Sequence, residues 1–173
     1  MEPPYVIKPL NEGSSVGVNV VLGHEDKFLP AEKNIPNQVL LEKFIPGKEL
    51  TTTIMGDQPL GVTDIITDSW YDYESKYNVG GSKHIVPADI PKEIYDGCED
   101  FALRAHLALG CRGISRADFR WDCSLGIDGL FLLEVNTQPG MTPTSLSPEQ
   151  ALVKGISFDS FCDWIVEDAS CDR

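Results

Sequence analysis

Asp118, Glu134 and Asn136 are the residues whose types and spacing first suggest chemistry. In the stretch Phe131 to Gly140, the alternation of Phe131, Leu133 and Val135 predicts a strand with one apolar face. Glu134 and Asn136 then project together from the other face. A carboxylate and an amide two residues apart on a buried strand are costly to desolvate unless a partner fills their oxygens. Pro139-Gly140 ends the strand in a sharp turn. Upstream, Ile114 to Trp121 predicts a second strand, with Ala117, Phe119 and Trp121 on one face and Arg116, Asp118 and Arg120 on the other. A polar turn over Asp122 to Gly129 would fold the two strands into a hairpin and bring Asp118 beside Glu134 and Asn136. Two carboxylates and an amide carbonyl are hard oxygen donors of the kind Mg²⁺ takes, together with waters and substrate phosphates. No His or Cys joins them, which argues against zinc or copper. A plain polar strand pair, with Arg116 salt-bridging Asp118 or Glu134, accounts for the same residues equally well.

Several other cations are informative in a chain whose formal net charge is −13. Lys8, Lys43, Lys76 and Arg116 are few enough to gather around a polyphosphate. Lys8 lies in a strand, Tyr5 to Pro9, which leads into the Gly/Ser-rich loop Asn11 to Gly17 and a second strand, Val18 to Leu22. The loop suits an anion through its backbone N–H groups and glycines, although its composition alone favours an ordinary hairpin tip. Gly23 to Gln38 is polar and fits a short helix between loops. Val39 to Ile45, Glu49 to Met55 and Leu60 to Thr67 read as three strands of an antiparallel meander, with turns at Pro46-Gly47 and Gly56-Asp57. Asp68 to Gly81 carries four aromatics, Trp70, Tyr71, Tyr73 and Tyr77, and fits either a ligand-covered loop or one pinned to the core. Asp89 is a candidate cap for a helix with Pro91 in its first turn. Ile94, Cys98, Phe101, Ala102, Ala105 and Leu109 follow helical spacing, Gly110 closes the helix, and His106 falls at its surface or boundary. The tail reads as two short helices separated by Gly155, with Ser147-Pro148 and Ser157 as caps. Phe158, Phe161, Ile165 and Val166 form the second helix's apolar stripe.

The expected fold class is α+β. A small antiparallel lobe spans residues 1–67, a sheet-and-helix lobe spans residues 68–173, and a nucleotide–Mg²⁺ cleft lies between them. At 173 residues the chain supports one sizeable core or two such lobes. Its acidity excludes an extended nucleic-acid surface. Five cysteines without a CxxC pair suggest reduced thiols rather than disulfides or zinc. No apolar run reaches membrane-spanning length, and the N-terminus lacks the pattern of a signal peptide, so a cytoplasmic location is expected. A core strand starting at Tyr5 suggests a cut through a larger fold.

Four segments in order, Ile7 to Gly17, Glu42 to Glu49, Tyr71 to Tyr77 and Glu134 to Thr142, resemble bacterial D-alanine–D-alanine ligase, an ATP-grasp enzyme. They span nearly the whole chain. The resemblance implies that Lys8 and Lys76 contact phosphates and that the loop with Ser14 and Ser15 covers the γ-phosphate. It implies that Glu42, Lys43 and Ile45 receive the adenine and that Glu49 contacts the ribose. Asp118, Glu134 and Asn136 would ligate two Mg²⁺ or Mn²⁺ ions. Arg116 and the Gly140 amide would stabilise the tetrahedral intermediate, and Ser145 and Leu146 would hold the second substrate's carboxylate.

The implied reaction is ADP-forming: ATP phosphorylates one D-alanine, and the amine of a second attacks the acyl phosphate to give a peptidoglycan precursor. Tyr77 favours the amine acceptor, because related D-alanyl-D-lactate ligases tend to carry Phe there. The family's N-terminal domain, which binds the first D-alanine, is not recognisable in this sequence. The expectation is therefore a fragment inactive alone, whose full-length parent is a homodimer. The alternatives are another ATP-grasp carboxylate–amine ligase and a non-catalytic nucleotide-binding module.

Overall fold

The computed structural model describes residues 1–13, 15–24, 38–66, 83–142 and 145–171. The chain divides into two compact units, one formed by its first 45 residues and the other by Pro46–Ile66 with His84 onward. In the first unit, β1 (Tyr5–Pro9) pairs antiparallel with both β2 (Asn19–Val21) and β3 (Val39–Lys43). The β1–β2 hairpin closes through two successive turns, Val16 N–H to Gly13 C=O at 3.0 Å and Val18 N–H to Ser15 C=O at 3.2 Å. Ser15 takes a left-handed φ of 60°, unusual for a residue with a Cβ. The expected helix within 23–38 and the aromatic loop at 68–81 fall almost wholly outside the described residues.

The second unit is built on a five-stranded sheet in the order β6-β5-β4-β7-β8. Its strands are β4 (Lys48–Met55), β5 (Gln58–Ile66), β6 (Lys83–Ile85), β7 (Ile114–Trp121) and β8 (Leu130–Asn136). The three-strand meander is therefore corrected. β3 belongs to the small sheet, whereas β4 and β5 belong to the large one, so the expected division at residue 67 does not match the sheets. The turn between β3 and β4 explains why. A Cβ on Gly47, whose φ is +94°, would sit 2.2 Å from the Trp121 carbonyl oxygen. The turn thus seats its backbone on β7 and delivers β4 beside that strand.

α1 (Lys92–Ala108) covers one face of this sheet. Its Ile94, Cys98 and Ala102 pack on Leu50, Ile54, Val62, Ala117, Phe119, Trp121 and Leu130. Removing each such large side chain from water stabilises the fold by about 1.5–3 kcal/mol. Burial in this core pushes the Cys98 thiol up to about 12. Pro91, rather than Asp89, occupies the N-cap position, and no side chain caps it. His106 is buried at 2% exposure, with Nδ1 2.7 Å from Ser115 Oγ, whereas Leu109 is exposed. Both differ from the expected stripe because that end of α1 rotates His106 onto Ser115 of β7.

α2 (Leu146–Val153) and α3 (Phe158–Asp168) follow. α2 begins after Ser145, not at Ser147-Pro148, and Ser157 caps α3 by accepting the Ser160 N–H. Phe161 is fully buried in a second cluster with Leu60, Ile114 and Ala151. Trp164 packs there, while Val166 is 73% exposed. Gln150 fastens α2 to the sheet. The β4–β5 register shifts between Thr52 and Ile54, and the Gln150 amide fills the gap. It accepts the Thr53 N–H at 2.8 Å and donates to the Thr51 carbonyl at 3.0 Å and to Thr63 Oγ1 at 2.9 Å. No helix among the described residues is long and apolar enough to cross a membrane.

Candidate active site on the polar face of the large sheet

Successive residues of β7 alternate in burial, which leaves Arg116, Asp118 and Arg120 on the face opposite α1. The β7–β8 register sets Asp118 directly against Glu134 and Arg116 against Asn136. On the other side, β4 sets Thr51 against Asp118, Thr53 against Arg116 and Glu49 against Arg120. Pairing therefore gathers three carboxylates, an amide and two guanidinium groups onto one surface.

The β7–β8 hairpin holds one irregularity. The register slips between Asp118 and Phe119, so that Asp118 pairs with Glu134 but Phe119 pairs with Leu132. The extra residue is Leu133, and such a bulge re-aims the side chains around it. The expected apolar row Phe131, Leu133, Val135 is corrected accordingly. Leu130 is the buried residue, beside Trp121, while Phe131 pairs with Arg120 on the polar side and is 39% exposed. Glu134 and Asn136, beyond the slip, keep the facing expected of them.

Asp118 is held on both oxygens. Arg116 donates from Nε to Oδ1 at 2.8 Å and from Nη2 to Oδ2 at 2.7 Å, and the Thr51 hydroxyl lies 2.7 Å from Oδ1. The two charged side chains are 15% and 14% exposed, so this fork is shielded from water. The Arg116–Asp118 bridge weighed above as an alternative to a metal site is thus present. Asn136 Oδ1 accepts the Gln138 N–H at 2.8 Å, which shapes the turn toward Gly140. Gly140 approaches the start of α2 so closely that a Cβ there would meet Ser145 Oγ at 2.9 Å. Ser145 Oγ also accepts the Thr142 N–H at 3.1 Å. Leu146 is buried in the first helical turn, where backbone N–H groups have no intrahelical acceptor.

The donor set fits a hard divalent cation. Asp118 and Glu134 are carboxylates in register, and the amide oxygen of Asn136 has a second lone pair beyond its bond to Gln138. A cation at Asp118 would share that carboxylate with Arg116. Among the described residues no group of three or more His, Cys, Asp or Glu side chains is placed to hold a metal ion. The arrangement offers oxygen donors in part through an amide, and no thiolate or imidazole.

Other predicted residues lie elsewhere. In the first unit, Lys8 and Glu42 form an ion pair. Lys43 points to the opposite face from Glu42 and pairs with Tyr5. Ile45 follows the strand and Ser15 lies in the hairpin loop. Ser14, Lys76 and Tyr77 fall outside the described residues. In the second unit Glu49 contacts Arg120, Nη1 to Oε2 at 3.6 Å.

Sequence reading overlooked Thr51, Gln150 and the tie between Arg120 and Glu49. Thr51 and Thr53 lie within the expected strand Glu49 to Met55, where alternation sets them facing one way, but nothing local names their partners. Gln150 carried no local signal, because its partners lie about a hundred residues away in sequence (|i−j| of 97 and 99).

The family model described as the D-ala D-ala ligase C-terminus matches residues 1–167. The D-alanine–D-alanine ligase of Ruegeria pomeroyi is 62% identical over 173 residues, covering 100% of this chain and 56% of that protein. The one from Roseobacter denitrificans is 63% identical over 175 residues, covering 100% of this chain and 54% of its own length. The chain therefore spans about half the length of these relatives. A crystal structure of D-alanine–D-alanine ligase from Bacillus anthracis aligns with a TM-score of 0.76 at 32% identity, over 95% of this chain and 54% of that one. The VanG D-Ala:D-Ser ligase from Enterococcus faecalis gives 0.77 at 30% identity, over 96% and 50%. A Bacillus anthracis ligase complexed with ATP gives 0.74 at 27% identity, over 95% and 52%. The fold is that of the ATP-grasp ligases. With the family match running through almost the whole chain, the protein belongs to the D-Ala-D-Ala ligase family, in its C-terminal part.

Proposed function

We propose that the complete protein joins two D-alanines to D-alanyl-D-alanine with conversion of ATP to ADP, in the cytoplasm, for peptidoglycan synthesis. The observation that carries this reading is the register of β7, which sets Asp118 against Glu134 and Arg116 against Asn136 on a single polar face. Asp118, Glu134 and Asn136 would hold two Mg²⁺ or Mn²⁺ ions, which when bound neutralise charge on phosphoryl oxygens. Lys8 and Lys76 are assigned to the phosphates, Ser14 and Ser15 to the loop over the γ-phosphate, Glu42, Lys43 and Ile45 to the base, and Glu49 to the ribose.

Arg116 and the Gly140 amide would donate to the oxyanion that forms when the acceptor amine attacks the acyl phosphate. The Asp118 fork orients the Arg116 guanidinium before any substrate arrives, so that little reorganisation is needed at the reactive step. Ser145, Leu146 and Tyr77 are assigned to the acceptor side. Gly140 and Ser145 lie close enough for one short segment to serve both the oxyanion and the acceptor carboxylate. The complete protein would act as a homodimer.

The test is ADP release and dipeptide formation from D-alanine by the complete protein, with and without Arg116→Ala. The loss of an oxyanion donor lowers turnover by about 10²–10³, and a circular dichroism spectrum like the parent's would show that folding is intact. Near-normal turnover in that variant would remove Arg116 from this role. A different amine acceptor is the second reading, favoured by the likeness to a D-Ala:D-Ser ligase. Competition among D-alanine, D-serine and D-lactate decides between them.

A further inference from the structure

Arg120 takes no part in the reaction outlined above, yet it occupies the polar face two residues from Asp118 and directly opposite Glu49. Its Nη1 lies 3.6 Å from Glu49 Oε2, and its Nη2 donates to the Gly47 carbonyl at 3.0 Å. The Arg120 and Glu49 side chains are only 14% and 20% exposed. Burial pushes the guanidinium's pKa down, and the charge and hydrogen bond of Glu49 push it back up. The Gly47 carbonyl is itself a fixed point, because that glycine packs on the Trp121 backbone with no room for a Cβ. A rigid sequence of contacts therefore runs from the β7 backbone through Gly47 and Arg120 to the Glu49 carboxylate.

We infer that Arg120 is a positioning residue for Glu49, and through it sets selectivity for ribose over deoxyribose nucleotides. The inference rests on the nucleotide reading above. A glutamate has three rotatable side-chain bonds, and on this face it shares its surroundings with the acidic Asp118 and Glu134. A planar guanidinium anchored through Nη2 on the Gly47 carbonyl presents Nη1 to the Glu49 carboxylate in a fixed direction, which a flexible ammonium does less well. A carboxylate held in place accepts hydrogen bonds from the vicinal hydroxyls of a ribose with little ordering cost on binding. If Glu49 rotated freely, that advantage would be lost for ribose and would not arise for deoxyribose.

The experiment is calorimetric binding of ATP and 2′-deoxy-ATP to the complete protein, to Arg120→Met and Arg120→Lys, and to the same variants in a Glu49→Gln background. A hydrogen bond to a charged group corresponds to about tenfold or more in affinity. The parent should therefore prefer ATP by about that factor. Arg120→Met should bring the ratio below about twofold by weakening ATP alone, with the KM for the amino-acid acceptor unchanged. Arg120→Lys, which keeps the charge but cannot engage Glu49 and the Gly47 carbonyl through one planar group, should fall between. In Glu49→Gln, Arg120→Met should have no further effect on the ratio. Equal weakening of both nucleotides, or an unchanged ratio in a folded variant, overturns the positioning role while leaving the nucleotide reading intact. Failure of the unsubstituted protein to bind ATP overturns both.

Discussion

Thr51 and Thr52 are neighbours on β4, and both are completely buried, yet they face opposite sides of the sheet. The Thr51 hydroxyl lies 2.7 Å from Asp118 Oδ1 and 3.1 Å from the Ala117 carbonyl oxygen. The Thr52 hydroxyl has no hydrogen-bond partner among the described residues. The first stands on the face that carries Arg116, Asp118 and Glu134. The second stands beneath α1, among Leu50, Val62 and Ala117. One sheet thus serves two ends. Its covered face is mostly apolar, with Asp64 held as an ion pair to Lys48, and tolerates an unbonded polar atom at a cost. On the other face, Asp118 itself is engaged by Arg116 and Thr51.

The greatest loss of stability should come from the covered face. Phe119 is 0% exposed and sits at the centre of the cluster under α1. Phe119→Ala removes its transfer free energy and leaves a cavity, a loss of about 3–5 kcal/mol. Urea denaturation measures this, and nucleotide affinity of the folded fraction should stay within twofold of the parent. A large change in affinity would mean that the two faces are coupled more tightly than the β7 alternation implies.

A smaller, pH-dependent effect attaches to His106, an ionisable group on the covered side. His106 is buried against Ser115, and desolvation lowers its pKa below the ordinary 6.5. Above that value the imidazole is neutral in both folded and unfolded chains, and its contribution is fully present. As pH falls, the unfolded chain takes up the proton first, so stability declines between 6.5 and the lowered folded value. Denaturation midpoints across this range should show the decline, and His106→Gln should flatten that part of the profile. An unchanged profile would mean that His106 is solvated in solution.

These two regions also differ in how far sequence alone could describe them. The facing of Ala117, Phe119 and Trp121 against Arg116, Asp118 and Arg120 follows from period-two alternation, which is local and leaves a trace in eight residues. The helix carrying Ile94, Cys98 and Ala102 was legible for the same reason. The Leu133 bulge was not, because one inserted residue changes parity without changing composition, and Phe131 was assigned to the wrong face as a result. The placing of β4 in the large sheet was also hidden. It depends on Gly47 meeting Trp121, residues far apart in the chain. Asp118, Glu134 and Asn136 were legible as a set, since each stands on the polar side of its strand. The Arg116 fork on Asp118 lies within one strand and was open to local reading, whereas Thr51, the other partner of Asp118, comes from β4, whose register no local pattern supplies.

The same substitution at the two threonines should have opposite signs. Valine matches threonine in shape, so Thr→Val exchanges a hydroxyl for a methyl with little change in packing. At Thr52 the exchange removes a buried donor that has no acceptor among the described residues, and stability should rise by up to about 1 kcal/mol. At Thr51 it removes the hydroxyl from a shielded carboxylate, where a bond to a charged group contributes more, and stability should fall by about 1–2 kcal/mol. Asp118 would then be held by Arg116 alone, and Mn²⁺ affinity should weaken at Thr51→Val while remaining unchanged at Thr52→Val. Thermal denaturation with metal titration on the pair reads both effects. Equal shifts in the two variants would mean that the hydroxyl on Asp118 adds nothing beyond the Arg116 fork, and that the open face is ordered by its charges and not by its threonine.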